Sequence, residues 1–369
     1  MAYVNLSNAK QAKNDEFYTQ YGDIEKEISA YLEYNPNVFK NKTILLPCDD
    51  PEWSNFTKYF AQNFERFGLK KLISTSYAVE SKPYKIGYQA TLFEENAPHY
   101  NSDKTRTNGK IFTLDKDISG DGKIDVDDLE WEYLEGDGDF NSQEVKKLRD
   151  ESDIIITNPP FSLFREFLSW IIESKKQFTI IGNINTIPTK EVFPLIKNNV
   201  MWLGTGMGRW ISGFIVPKSY ELYGTEAKID EKGNRIIATN NCIWLTNIEH
   251  GKRHLPLNLM SMADNKKFNT KLHKKPAYLE YENYDGIEIP YTDAIPNDYD
   301  GIMGVPISFL DKYNPEQFEI LDCQEPCILL EKLRENPNIK EYKSRQIIYN
   351  GNRCQKTYHR IFIKHKQTD

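Results

Sequence analysis

The sequence predicts an α/β chain organised on a doubly wound, mostly parallel sheet, with a smaller C-terminal region, and three observations predict it. The triplet Ile154-Ile155-Ile156 reads as a strand covered on both faces, as in a sheet flanked by helices. It runs through Thr157 and Asn158 into Pro159-Pro160, then into a stretch whose Phe164, Phe167, Leu168 and Ile171 keep the spacing of one buried helix face. Thr43-Ile44-Leu45-Leu46 begins a second strand-turn-helix unit of the same kind. From about Leu255 the periodicity is lost, and proline, tyrosine and basic residues dominate. The expected division is therefore 1–255 for the α/β domain and 256–369 for the second region.

The elements follow in order. Residues 1–14 are polar, and Asp15 to Tyr21 leads into a helix over Ile24 to Leu32. The Thr43–Leu46 strand ends in Pro47-Cys48-Asp49-Asp50-Pro51, where Asp50 and Pro51 suit a helix cap and first turn. The helix carries Trp53, Phe56, Phe60, Phe64 and Phe67 on one face, with Gly68 as its stop. Lys71 to Tyr77 is the next strand, and residues 81–135 read as an acidic insertion. Phe178 to Asn183 continues the sheet, and Thr189 to Lys197 forms a short helix. Val200 to Leu203, Trp210 to Val216 and Ile236 to Leu245 are late strands, the last two joined by a hairpin around Lys232-Gly233-Asn234. Gly204-Thr205-Gly206-Met207-Gly208 suggests a phosphate cradle, but no P-loop lysine or clear helix follows, which excludes nucleoside triphosphate binding.

Charge is unevenly placed. The net charge is −7, and residues 103–139 alone hold twelve Asp/Glu against five Lys/Arg. Residues 251–275 carry seven Lys/Arg against one acid, and residues 340–366 eight against one, so phosphate contacts are expected there. The five cysteines are odd in number and scattered, which predicts reduced thiols. No apolar run has membrane-spanning length and the N-terminus lacks a signal-peptide core, so the expectation is a cytoplasmic protein without a membrane partner.

Asn158-Pro159-Pro160-Phe161 carries the chemistry. Two prolines remove two backbone donors and hold Asn158 out of the α region, at the strand end where open α/β sheets bind ligands. The Asn158 side-chain oxygen and the Pro159 carbonyl suit acceptance from an exocyclic amino group, and Phe161 suits stacking on the ring that bears it. A plain Pro-Pro turn is the structural alternative.

These four residues, with Asp15-Glu16-Phe17-Tyr18-Thr19-Gln20-Tyr21, Cys48-Asp49-Asp50-Pro51 and Gly136-Asp137-Gly138-Asp139-Phe140, resemble the EcoRI-type adenine-specific DNA methyltransferase family over most of residues 10–255. The resemblance implies transfer of methyl from S-adenosylmethionine to N6 of an adenine flipped out of double-stranded DNA, with Asn158, Pro159, Pro160 and Phe161 catalytic. It implies cofactor contacts from Phe17, Tyr18, Thr19, Pro47, Cys48, Asp49, Asp50, Asp139, Phe140 and Asn158, with Asp49 and Asp50 facing the cationic end and Asp139-Phe140 the adenine. It also makes 256–369 the target-recognition region, with Arg345, Arg353, Lys356 and Arg360 as DNA-contact candidates. Two rivals stand beside it: the same constellation acting on cytosine N4 or RNA adenine, and an inactive DNA-binding protein of this fold, which the glycine-free turn at Pro47–Pro51 keeps open. A companion restriction endonuclease is not readable from the chain.

Within the acidic insertion, Asp117, Ser119, Asp121, Asp125 and Asp128 occupy positions one, three, five, nine and twelve of an EF-hand-like loop, which raises calcium. Serine at position three and aspartate at twelve depart from that pattern, and an acidic hairpin turned by Gly120 and Gly122 explains the same residues.

Overall fold

The structure is a computed structural model. It describes residues 18–49, 54–78, 100–207, 211–216, 222, 227–237, 241–274, 278–281, 286–323, 346–349, 353–356 and 360–366, with backbone only at 207, 274, 346–349 and 353–356. Two compact units emerge, residues 1–184 with 203–250, and residues 185–202 with 251–369. Among the described residues, no helix is long and apolar enough to cross a membrane.

From the N-terminus the elements are β1 (Tyr18–Thr19), α1 (Tyr21–Tyr34), β2 (Thr43–Leu46), α2 (Asn55–Gln62), α3 (Phe64–Phe67), β3 (Lys71–Ser76), α4 (Ser102–Thr107), β4 (Lys110–Leu114) and β5 (Glu130–Tyr133). They continue with α5 (Gln143–Glu151), β6 (Ile154–Thr157), α6 (Phe164–Ser174), β7 (Gln177–Asn183), α7 (Phe193–Lys197), β8 (Trp202–Met207), β9 (Phe214–Val216), β10 (Lys228–Ile229), β11 (Arg235–Ile237) and β12 (Cys242–Thr246). The main sheet is mixed and eight-stranded, in the order β5-β4-β3-β2-β6-β7-β12-β8. Its centre is parallel: Leu45 pairs with Ile73 on one side and Ile155 on the other, and Ile156 pairs with Thr179. Ile44, Leu45, Leu46 and Ile154 to Ile156 have no accessible surface, as continuous apolar runs in a doubly covered sheet require.

The acidic insertion is only partly an insertion. β4 and β5 extend the main sheet antiparallel from β3, with Ser74 opposite Phe112 and Phe112 opposite Trp131. The expected single helix over Trp53 to Phe67 breaks at Asn63, whose side chain donates to the Tyr59 carbonyl at 2.8 Å. Gly68 closes it at φ +62°, and Phe39, Phe60 and Phe67 pack edge-on and tilted beneath. Ser54, not Asp50, caps the helix, accepting from Phe56 N at 3.1 Å. Phe17, Asp50, Pro51 and Trp53 lie outside the described residues.

The late strands also differ from expectation. Residues 236–245 do not form one strand: β11 joins a separate sheet, β1-β9-β11-β10, whereas β12 pairs with β7 in the main sheet. The turn at Lys232 to Asn234 joins β10 to β11, held by the Asp230 carboxylate on the backbone of Lys232 and Asn234. Apolar alternation alone cannot say which sheet edge a strand joins.

The glycine-rich run at 204–206 is strand, and it cradles a carboxylate of the chain itself. Glu27 of α1 accepts from Thr205 N at 3.0 Å, Thr205 Oγ1 at 2.6 Å and Gly206 N at 3.2 Å. A Cβ at Gly204 would stand 2.0 Å from Glu27 Oε1. One turn earlier on the same helix face, Asp23 takes Ser212 N and Oγ at 2.8 Å. Burial raises both carboxyl pKa values against the hydrogen bonds that lower them.

The EF-hand-like loop is pinned from within. Asp117 accepts from Gly120 N at 2.6 Å and Gly122 N at 2.9 Å, and Asp128 from Ile118 N, Ser119 N and Asp125 N at 2.7 to 3.0 Å. Among the described residues no three Asp, Glu, His or Cys side chains converge as a metal site. The carboxylates of Asp117 and Asp128, at positions one and twelve of the calcium-loop pattern, thus serve the turn's own amides. Those backbone bonds, Ser119 foremost, lower the Asp128 pKa from 3.8 to about 2. A depressed carboxyl stabilises the fold above its unfolded pKa and loses that contribution as pH falls from 3.8 through about 2. In Asp128→Asn, thermal denaturation should show a lower melting temperature near neutrality and a flatter acid limb in that interval; an unchanged limb contradicts the assignment.

The second unit contains α7 and, beyond β12, α8 (Met262–Phe268), β13 (Ile287–Glu288), β14 (Met303–Pro306), β15 (Phe318–Cys323), β16 (Gln346–Tyr349), β17 (Arg353–Lys356) and β18 (Arg360–His365). Its four-stranded sheet runs β13-β14-β18-β15. Arg360 does not face solvent: its guanidinium grips Glu288 at 2.6 and 2.9 Å, and Tyr281 donates to the same carboxylate. That corrects its expected role in DNA contact. Arg345 lies outside the described residues, as do the side chains of Arg353 and Lys356.

Candidate active site

β2 has β3 on one side and β6 on the other, so the connection order reverses between β2 and β6. In open α/β sheets the crevice at such a point, beyond the carboxyl ends of the strands, holds ligands. The turn Pro47-Cys48-Asp49 leaves β2 there, and Asn158-Pro159-Pro160-Phe161 leaves β6 beside it.

One carboxylate ties the two exits together. Asp49 Oδ2 accepts from Thr157 Oγ1 at 2.6 Å and Oδ1 from Ser54 Oγ at 2.7 Å, while Asp49 N donates to the Thr75 carbonyl at 3.1 Å. Ser74 Oγ donates to the Asp49 carbonyl and Thr75 Oγ1 to that of Pro47 at 3.1 Å. The turn is thus held by α2, β3 and β6 together, which replaces the glycine-rich geometry the sequence lacks. Asp49 is only 6 % exposed, and both of its carboxylate oxygens accept from groups of the chain itself.

The Asp137–Phe140 turn reaches the same place. Ala78 N donates to the Asp137 carbonyl at 2.8 Å, and Gly138, at φ +85°, lies so close to β3 that a Cβ would stand 2.3 Å from the Ser76 carbonyl oxygen. Tyr77, at the end of β3, donates to the Asp139 side chain, and burial with the Asp139 charge pushes its pKa far up. Burial, then the Asp49 charge, raises the Cys48 thiol well above its ordinary value, with Asp139 adding and a Thr157 hydrogen bond opposing. Pro47, Cys48, Asp49, Tyr77, Asp139 and Thr157 therefore form one interacting cluster at the carboxyl ends of β2, β3 and β6. Phe140 does not join it. Its ring has no accessible surface and packs on Phe167 and Trp170 at 5.1 and 5.8 Å, so it belongs to the core and not to a stacking platform.

The N-terminal motif closes the circle. β1 pairs with β9, Thr19 opposite Phe214, and the Phe214 ring lies 6.0 Å from that of Phe161. Asn55, beside the Ser54 cap, donates to the Thr19 carbonyl at 2.8 Å. Thr19 Oγ1 is buried and has no hydrogen-bond partner among the described residues, as expected of a group that meets a bound ligand. A cleft of about 460 Å³ opens next to this strand, lined by Gln20, Tyr21, Asn55, Ile215 and the Asp230–Asn234 turn. Asn158 is half-buried with its Oδ1 inaccessible, Pro159 is buried and Phe161 half-buried, so the tetrapeptide holds one amide and one ring on a fixed backbone.

A family model described as "Adenine-specific methyltransferase EcoRI" matches residues 5–366. The chain belongs to the EcoRI adenine-specific methyltransferase family. It is 46 % identical over 362 residues to the type II methyltransferase M.EcoRI of Escherichia coli, covering 98 % of this chain and 96 % of that protein. It is 30 % identical over 370 residues to M.MpnI of Mycoplasma pneumoniae, covering 100 % and 99 %. No solved structure matches. Membership makes the chain an adenine-specific DNA methyltransferase, as the resemblance at Asn158 to Phe161 implies.

Sequence reasoning missed Ser54, Asn55, Tyr77, Thr157 and Phe214. Tyr77 had a legible signal: it directly follows β3, at the carboxyl end of a parallel strand, where open α/β sheets place ligand-contacting groups. Phe214 had none, because its meeting with Phe161 spans two sheets.

Proposed function

We propose that the chain transfers a methyl group from S-adenosylmethionine to N6 of an adenine rotated out of double-stranded DNA, on a doubly wound methyltransferase sheet. The observation that carries this is the Asp49–Thr157 bond at 2.6 Å, which locks the cofactor turn to the residue preceding Asn158. Tyr18, Thr19, Pro47, Cys48, Asp49 and Asp139 line the cofactor side, with Phe17 and Asp50 added from the motif. Their donors and carboxylates suit the hydroxyls and positive charge of S-adenosylmethionine. That cofactor supplies the methyl on an activated sulfonium.

Asn158 Oδ1 and the Pro159 carbonyl hold the adenine amino group by accepting from it, and Phe161, leaning on Phe214, stacks on the base. Two acceptors favour the pyramidal, nucleophilic form of the nitrogen, and positioning does the rest. Base extrusion follows from the depth at which a paired N6 lies. Residues 256–369 serve target recognition in this reading.

Labelled methyl transfer to diverse unmethylated duplex DNA, followed by digestion to nucleosides, tests it. N6-methyladenine is the expected product. Label in N4-methylcytosine, in RNA alone, or in neither despite cofactor binding, overturns the assignment.

Gly138→Ala should weaken S-adenosylmethionine about tenfold or more in equilibrium titration. Its Cβ would force the Asp137–Asp139 turn off the Ser76 carbonyl at a cost of about 1–3 kcal/mol. Unchanged affinity would detach that turn from the cofactor.

A further inference from the structure

Five of the basic residues of 251–275 have described side chains, and they divide into two groups. Lys252 Nζ pairs with Asp311 at 2.6 Å, and buried Arg253 places its guanidinium 3.8 Å from the Trp202 ring centre while donating to Asn199 at 2.6 Å. These two serve the second unit itself. Lys266 and Lys267 of α8 are exposed, as is Lys271 just beyond, which pairs with Asp293 at the surface.

Helix α8 is unusual in what it buries. Its one buried residue is Asn265, whose amide donates to the Met260 carbonyl at 3.3 Å. Phe268, at its C-terminal end, is 59 % exposed. A helix of a folded domain normally turns its apolar stripe inward; α8 turns a phenylalanine and two lysines outward. Lysines here also sit by aromatic rings: Lys266 Nζ is 5.6 Å from the centre of Tyr278, Lys267 4.8 Å from Phe268, and Lys271 5.9 Å from Tyr291. Asp264, exposed at the start of the helix, is the acid on α8, and Ser261 Oγ donates to it at 2.8 Å.

We infer that the outer face of α8, carried by Lys266, Lys267 and Phe268, is a contact surface for duplex DNA. The two ammonium groups meet phosphates, and the Phe268 ring packs on a sugar or base edge, a contact that tolerates any sequence because every nucleotide offers an apolar face. Positive charge interleaved with an exposed ring complements a polyanion; a purely apolar partner would leave the lysines unmatched. The inference rests on the DNA-methyltransferase reading and names where in the second unit the substrate lies.

Full-length wild type, the Lys266→Gln/Lys267→Gln double variant and Phe268→Ala are titrated with a labelled mixed-sequence duplex at several salt concentrations. The double variant should lose about two from the slope of log K against log salt, since each lost phosphate contact removes about 0.9. Phe268→Ala should weaken binding roughly tenfold with the slope unchanged. Melting temperature and S-adenosylmethionine affinity should match wild type for both, because the altered side chains are exposed. Wild-type affinity and slope in both variants would overturn the inference while leaving methyl transfer by wild type intact. A change of oligomeric state without a change in DNA binding would also overturn it, marking α8 as a contact between copies of the chain. Failure of wild type to bind or methylate DNA would instead overturn the functional reading beneath it.

Discussion

Asn158→Ala should lower the single-turnover rate of methyl transfer by roughly a hundred- to a thousandfold, with little change in S-adenosylmethionine affinity. A loss of that size is usual when one preorganised polar partner of the reacting atom is removed. The alanine keeps the Pro-Pro backbone, the Asp49–Thr157 bond at 2.6 Å and the Phe161–Phe214 contact, so the cluster around Asp49 is untouched. In the proposed mechanism, what is removed is the side-chain acceptor for the adenine amino group. Asn158→Asp retains an oxygen in the same place and should recover part of the rate, which a merely structural asparagine would not predict. Equal rates for wild type and alanine, at saturating DNA and cofactor, would remove Asn158 from the mechanism.

Glu288→Ala should destabilise the second unit strongly, by about 3–5 kcal/mol, because it removes the carboxylate shared by the buried Arg360 guanidinium and the Tyr281 hydroxyl. The side chains of Arg360 and Glu288 are 11 % and 6 % exposed, with donor-acceptor distances of 2.6 and 2.9 Å. The melting temperature should fall by roughly 6–20 °C at the usual conversion for a domain of this size. A paired replacement, Glu288→Leu with Arg360→Met, should recover most of the loss, since removing both charges removes the desolvation that neither can then repay. If the pair melts as low as the single variant, the loss comes from packing around β13 and not from the orphaned charge. In the wild-type fold Nε and Nη2 of Arg360 both donate to Glu288.

Much of this is legible in the order of residues alone. Three isoleucines with no polar interruption specify a doubly covered strand, and two prolines after Asn158 specify a fixed exit from it, since both are properties of the local chain. The aromatic spacing from Phe56 to Phe67 and the stop at Gly68 are local in the same way, and they reappear in the fold, though as two helices divided at Asn63. Motif resemblance added the family and the chemistry.

What the sequence could not reach depends on contacts distant along the chain. The splitting of 236–245 between two sheets, the burial of Phe140 beneath Phe167 and Trp170, and the pairing of Arg360 with Glu288 are separated by tens of residues from the partners that decide them. A charged residue reads alike whether it faces solvent or a buried partner, and so does a Gly-Thr-Gly run whether its amides hold phosphate or Glu27. The sequence by itself determined the strand, the rigid Asn158 turn and the family. Only the tertiary structure decided that Asp49 braces Thr157, that Tyr77 holds Asp139 and that Phe268 faces outward, because hydrogen bonding and burial are settled by which surfaces meet, not by the order of residues.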